Sequence, residues 1–109
     1  MNNFLVNLQE QIERVELIAK KIESNEAYME ELKGYLPMLN QTILTLFDVI
    51  QNCTIPIEIN SEFVLQVLND ILYGIEQEDS VYLLDVLRYG LIEIYVYIGM
   101  ELQREECHE

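Results

Sequence analysis

A chain of 109 residues with a formal net charge of -14, half its residues apolar and only six Lys plus Arg, has the size of one domain, and area scaling lets it bury roughly two thirds of its extended surface without a metal or disulfide staple. The apolar half excludes acidic disorder, which combines high charge with too little apolar surface to offset chain entropy. The scarcity of basic side chains argues against nucleic acid and anionic membrane as partners, since both recruit clustered Lys and Arg.

The opening Met1-Asn2-Asn3-Phe4-Leu5-Val6-Asn7 carries no basic leader and its apolar positions are soon interrupted, so it reads as mature, cytoplasmic sequence rather than a signal peptide. Phe4, Leu5, Leu8, Ile12, Val15, Ile18, Ala19 and Ile22 then fall within about a third of a helical wheel, the mark of an amphipathic helix. Ser24 and Asn25 offer an N-cap before the next helical pattern.

In that pattern Met29, Leu32, Leu36, Leu39, Ile43, Leu46 and Ile50 alternate spacings of three and four in unbroken phase. Pro37 lies inside it, removing one ladder donor and crowding the carbonyl of Lys33. Either the helix is kinked, or it ends near Gly34 and another begins at Pro37; the unbroken phase favours the kink. Residues 52–60, with Pro56 and β-branched neighbours, read as an extended connection lying against the edge of the core.

Asn60 or Ser61 caps a third helix with the stripe Phe63, Val64, Val67, Leu68, Ile71 and Ile75 and an outward side bearing Glu62, Gln66, Asn69 and Tyr73. Asp79 or Ser80 caps a fourth that runs to about Arg104. The run Ile94 to Ile98 has high strand propensity, but the only other β-prone segment is broken by Pro56, so tertiary context should hold it helical. Short connections make neighbours antiparallel. The expected fold is therefore all-α, an antiparallel bundle of four helices, or five if Pro37 splits the second, over residues 1–104, followed by a disordered acidic tail, 105–109.

The fourth helix carries two apolar faces. Leu83, Leu84, Leu87, Leu91, Ile94, Tyr95, Ile98 and Leu102 suffice for packing in the bundle, yet Tyr82, Tyr89, Val96 and Met100 form a second line with Val86 and Ile92 beside it. Helices apolar on two sides are central in a protein or shared with another chain, and Tyr and Met are favoured in interfaces. Three arrangements satisfy this pattern: a helix sandwiched by its own chain, a homodimer, or a docked foreign helix. Tyr82, Tyr89, Ile92, Val96 and Met100 are the candidate partner-binding residues. Gly90 and Gly99 project to opposite sides, which suits a helix closely approached by two neighbours.

No catalytic, cofactor or metal site is expected. The one histidine, His108, sits in a Cys-His-Glu chain end, without the fixed geometry a catalytic base uses. Glu76, Glu78, Asp79 and Asp85 lack the ligand alternation and central glycine of a calcium loop. Cys53 and Cys107 have no Cys-x-x-Cys spacing. Phosphate loops and dinucleotide fingerprints are absent from the sequence.

Leu68-x-Asp70-Ile71, Asp79 and Leu83-x-Asp85-x-Leu87-x-Tyr89-x-Leu91 together span about a quarter of the chain. This stretch resembles one recurring in short, acidic, helical proteins of unknown function from Gram-positive bacteria, which implies a helical fold and carries no activity. The overall form also resembles small helical flagellar and secretion chaperones, which hold an apolar client helix. The functional expectation is a non-enzymatic protein–protein interaction module, an adaptor or export-chaperone-like binder that self-associates. The alternative is an acidic inhibitor or immunity-type protein steered to a basic partner by charge; residues 56 to 109 alone carry twelve acidic and two basic side chains.

Overall fold

The computed structural model describes residues 2–53 and 56–107. The helices are α1 (Asn2–Glu23), α2 (Met29–Gln51), α3 (Ser61–Glu76), α4 (Ser80–Val86), a π-helical turn (Leu87–Leu91) and α5 (Ile92–Cys107). Val86, Leu87 and Ile92 have helical dihedrals and the helical elements follow one another without a break, so α4, the π turn and α5 form one rod, and the described residues make an all-α bundle of four rods. The run Ile94 to Ile98 is helical, as context required. α5 extends to Cys107, beyond the boundary expected at 104, and residues 108 and 109 lie outside the described residues.

Contacts between elements give the directions. Lys21 pairs with Glu31, and the Arg14 guanidinium lies 5.9 Å from the Tyr35 ring centre, so α2 runs back along α1. Leu8 faces Gly99 while Glu16 and Glu23 face Arg88, so the C-terminal rod is antiparallel to α1. Gly74 meets Leu83 and Gly90 meets Val67, so α3 is antiparallel to it from the other flank. The two glycines of the rod therefore serve two different neighbours, as their opposite projection implied. The bundle measures 45 × 24 × 20 Å.

Each predicted stripe supplies the core. Leu8, Val15 and Ile18 of α1, Leu32, Leu39 and Leu46 of α2, Val64, Val67 and Ile71 of α3, and Leu83, Leu87, Leu91, Tyr95, Ile98 and Leu102 of the rod are buried. Burying a large aliphatic side chain stabilises a fold by about 1.5–3 kcal/mol, so these stripes outweigh propensity and surface pairs. Pro37 does not divide α2, which continues from Met29 to Gln51. Its ring lies on the exposed side, where water can reach the carbonyl it frees. Ile57 of the connection is buried, and the Tyr97 hydroxyl donates to the Glu58 carbonyl at 2.9 Å, pinning that segment to the rod.

Two expectations are corrected. Ser24 and Asn25 do not cap α2; they end α1. Asn25 has φ 59°, its N–H donates to the Ile22 carbonyl, and the Glu26 N–H reaches back to Lys21, the double bond of a Schellman motif with Asn in the left-handed position. α2 begins after Tyr28 without a side-chain cap, and Glu30 and Glu31 in its first turn complement the helix dipole. Phe63, placed in the α3 stripe by spacing, is 47% exposed, because the core face of this first turn is taken by Val64. Of the two candidates for each of the α3 and α4 caps, the first serves: Asn60 accepts from the Glu62 and Phe63 N–H groups, and Asp79 from that of Tyr82.

Candidate interaction surface

The rod's buried residues Leu83, Leu87, Leu91 and Tyr95 are each four apart. In a regular α-helix that spacing drifts by about 40° per step, so the row would leave the core. The π turn Leu87–Leu91 has more residues per turn and absorbs the drift. The wider turn also sets the outward residues before it out of line with those after it.

The line Tyr82, Tyr89, Val96 and Met100, with Ile92 beside it, is consequently broken at the π turn. Tyr82 leans toward α3, where its ring meets Tyr73 edge-on at 5.5 Å and 71°. Its phenol is raised from the ordinary range, first by hydrogen bonding to Asp70, then by desolvation and the surrounding acidic charge. Ile92 is half-buried against the core. Tyr89, Val96 and Met100 are 66%, 40% and 62% exposed. The chain thus covers part of the rod's second apolar face and leaves these three outward.

Val96 and Met100 belong to a groove of about 380 Å³ between α1 and α5, formed by Leu5, Val6, Gln9 and Ile12 on one side and Tyr95, Val96, Gly99, Met100 and Gln103 on the other. Leu8 and Gly99 lie at its base, where a Cβ on Gly99 would stand 3.4 Å from Leu8 Cδ2. A larger side chain would project into the groove. The lining is largely apolar, with neutral amides from Gln9 and Gln103, which suits docking of an apolar stripe. Sequence reasoning missed Val6, 61% exposed. Its signal was an apolar residue outside the α1 stripe, legible only when α5 is known to lie alongside.

Arg88 fastens the π turn to α1, with Nη1 2.9 Å from Glu23 Oε2 and Nη2 3.1 Å from Glu16 Oε1. The guanidinium holds the Glu23 carboxyl below its ordinary range, first by hydrogen bonding and then by charge. Tyr89 projects beside this anchor, at the start of a shallower surface with Val81, Leu84 and Asp85. On the α3 flank, Tyr97, Phe63 and Ile59 border a further cleft of about 320 Å³.

Among the described residues, no group of three His, Cys, Asp or Glu side chains is placed to hold a metal ion, and no helix is long and apolar enough to cross a membrane. Asp79 is engaged as a helix cap, and Glu78 forms the left-handed turn before it. Among the described residues, Gln11 Oε1 and Thr42 Oγ1 are buried without a well-formed hydrogen bond. Neither a protein-family model, nor a curated protein, nor a solved structure matches the chain.

Proposed function

We propose that the chain is a non-enzymatic, cytoplasmic protein–protein interaction module that uses the outward residues of its C-terminal rod. One observation carries this reading: after α1, α3 and the segment around Ile57 and Glu58 have packed against the rod, Tyr89, Val96 and Met100 are still exposed. Tyr82 and Ile92 flank them as half-buried supports. Tyr buries a large area at small conformational cost, and apolar side chains grouped beside one another on a surface favour docking of a partner. A second copy and the apolar helix of another protein are the two occupants such a surface admits.

Tyr89→Glu and Met100→Glu alter exposed positions and should leave the melting temperature unchanged. At least one of them should abolish the association recorded by light scattering and by affinity capture. Association unaffected by either substitution would overturn the reading.

The charge of -14 supports a second reading, an acidic inhibitor or immunity-type protein that meets a basic partner through its general surface. That binding should weaken steeply between low and high salt and be indifferent to Met100→Glu.

A further inference from the structure

Resting on the interaction-module reading, we propose that Tyr89 and Asp85 together receive an Arg or Lys side chain of a basic partner protein, stacked on the Tyr89 ring and paired with the Asp85 carboxylate. The π turn singles out Tyr89. Such turns are rare and recur at functional sites. With one residue fewer between Leu87 and Leu91, the row Leu83, Leu87, Leu91 and Tyr95 would follow the four-three-four spacing of a regular amphipathic helix, so the turn holds one residue more than the core needs. Four of its five residues serve the fold. Leu87 and Leu91 are buried, Arg88 binds Glu16 and Glu23, and a Cβ on Gly90 would stand 3.2 Å from Val67 Cγ2. Tyr89 is the fifth. It is 66% exposed, and its hydroxyl and ring have no hydrogen-bond or ring partner among the described residues.

Charge selects the occupant. Beside Tyr89 lie Val81, Leu84 and Asp85, the last one turn earlier on the rod. An aromatic face next to a carboxylate attracts a cation twice over, and a guanidinium can stack on the one while bonding the other. Asp85 is exposed and in no ion pair among the described residues. Arg88 borders the same surface, but its guanidinium is shared by Glu16 and Glu23, the latter with Lys20 nearby, so the α1 side is balanced in itself. Arg104, the other basic residue of 56–109, lies about 22 Å from Tyr89 along the rod. An isologous pair formed here would set this acidic surface against itself, between chains of net charge -14 each. A basic protein is drawn by the same field.

The test uses the full chain and two fluorescent peptides of about ten residues, identical except that Arg in one is norleucine in the other, read by anisotropy. The Arg peptide should bind, and the norleucine peptide at least roughly tenfold more weakly. Tyr89→Phe, which keeps the ring, should retain binding; Tyr89→Leu, which keeps the apolar bulk, should weaken it roughly tenfold. Asp85→Asn should weaken it and flatten its salt dependence, whereas Glu13→Gln, at an exposed carboxylate of α1, should do neither. Tyr89, Asp85 and Glu13 are all exposed, so the variants should melt with the parent chain.

Equal binding of both peptides, Tyr89→Leu behaving as Tyr89→Phe, equal effects of Asp85→Asn and Glu13→Gln, or a dimer of the parent chain that Tyr89→Leu converts to monomers would overturn the inference. Should Met100→Glu weaken the Arg peptide while Tyr89→Leu does not, the inference fails and the interaction-module reading stands. Peptide binding and association that are both indifferent to Tyr89→Glu and to Met100→Glu remove both.

Discussion

The hydroxyls of Tyr35 and Tyr95, sixty residues apart in sequence, lie 3.1 Å from one another inside the bundle. Both side chains are fully buried. This contact ties α2 to α5 across the core and gives each phenol the partner that burial demands. Thr42 lies close enough to the Tyr95 hydroxyl to oppose its shift, although its own Oγ1 lacks a well-formed hydrogen bond.

Tyr95→Phe should therefore destabilise the fold by about 1–3 kcal/mol, because it strands the Tyr35 hydroxyl in the core. The double variant Tyr35→Phe/Tyr95→Phe should be less destabilised than the two single changes summed, since no hydroxyl of the pair is then left alone. Urea unfolding of the four proteins gives the coupling energy; strict additivity would show that the contact contributes nothing.

The same pair governs behaviour in alkali. Burial raises both phenols above the ordinary value near 10; in Tyr35 the Tyr95 hydrogen bond opposes this, and in Tyr95 the proximity of Tyr35 adds to it. Folded values above the unfolded value mean that this contribution is complete below about pH 10 and is lost as pH rises further. Two of the seven tyrosines should thus ionise only as the chain unfolds, visible as phenolate absorbance rising together with loss of helical circular dichroism. The double Phe variant should show a shallower alkaline loss of stability.

Gly74 and Gly34 should respond oppositely to alanine. A Cβ on Gly74 would stand 2.6 Å from Leu83 Cδ2 and 2.7 Å from Cγ, while one on Gly34 meets nothing within 4 Å. Leu83 is fully buried, so making room for the added methyl means repacking the core, and Gly74→Ala should cost about 1–3 kcal/mol in overpacking, partly offset by helix propensity. Gly34→Ala carries only the propensity gain, at most about 1 kcal/mol. Thermal melts should move down for the first and up for the second, by roughly 4–8 °C per kcal/mol.

Glu78 holds the left-handed position between α3 and α4, with φ 52°. Its N–H donates to Ile75 and that of Asp79 to Gly74, so the turn is hydrogen-bonded and the strain resides in the Glu backbone. Glu78→Gly should stabilise by about 0.5–1 kcal/mol, since only glycine takes this conformation without a Cβ penalty. Asn25→Gly, at the equivalent turn after α1, should gain less because Asn tolerates φ > 0. An unchanged melting temperature for Glu78→Gly would contradict this account.

The helices and most of their core faces were determined by sequence alone, and the caps of α3 and α4 were narrowed to two adjacent residues each, because apolar periodicity and side-chain capping act within a few residues of chain. Tertiary structure decided the rest, for reasons of packing. The four-residue steps Leu83, Leu87, Leu91 and Tyr95 stay in the core only by adopting a π turn, and that turn separates Tyr82 from Val96 and Met100. Val6 joins Val96 and Met100 because α1 lies against α5, a pairing of residues some ninety positions apart. A groove depends on the distance and direction between two rods; periodicity says which side of each rod is apolar, and only their packing determines how much of that side is left uncovered.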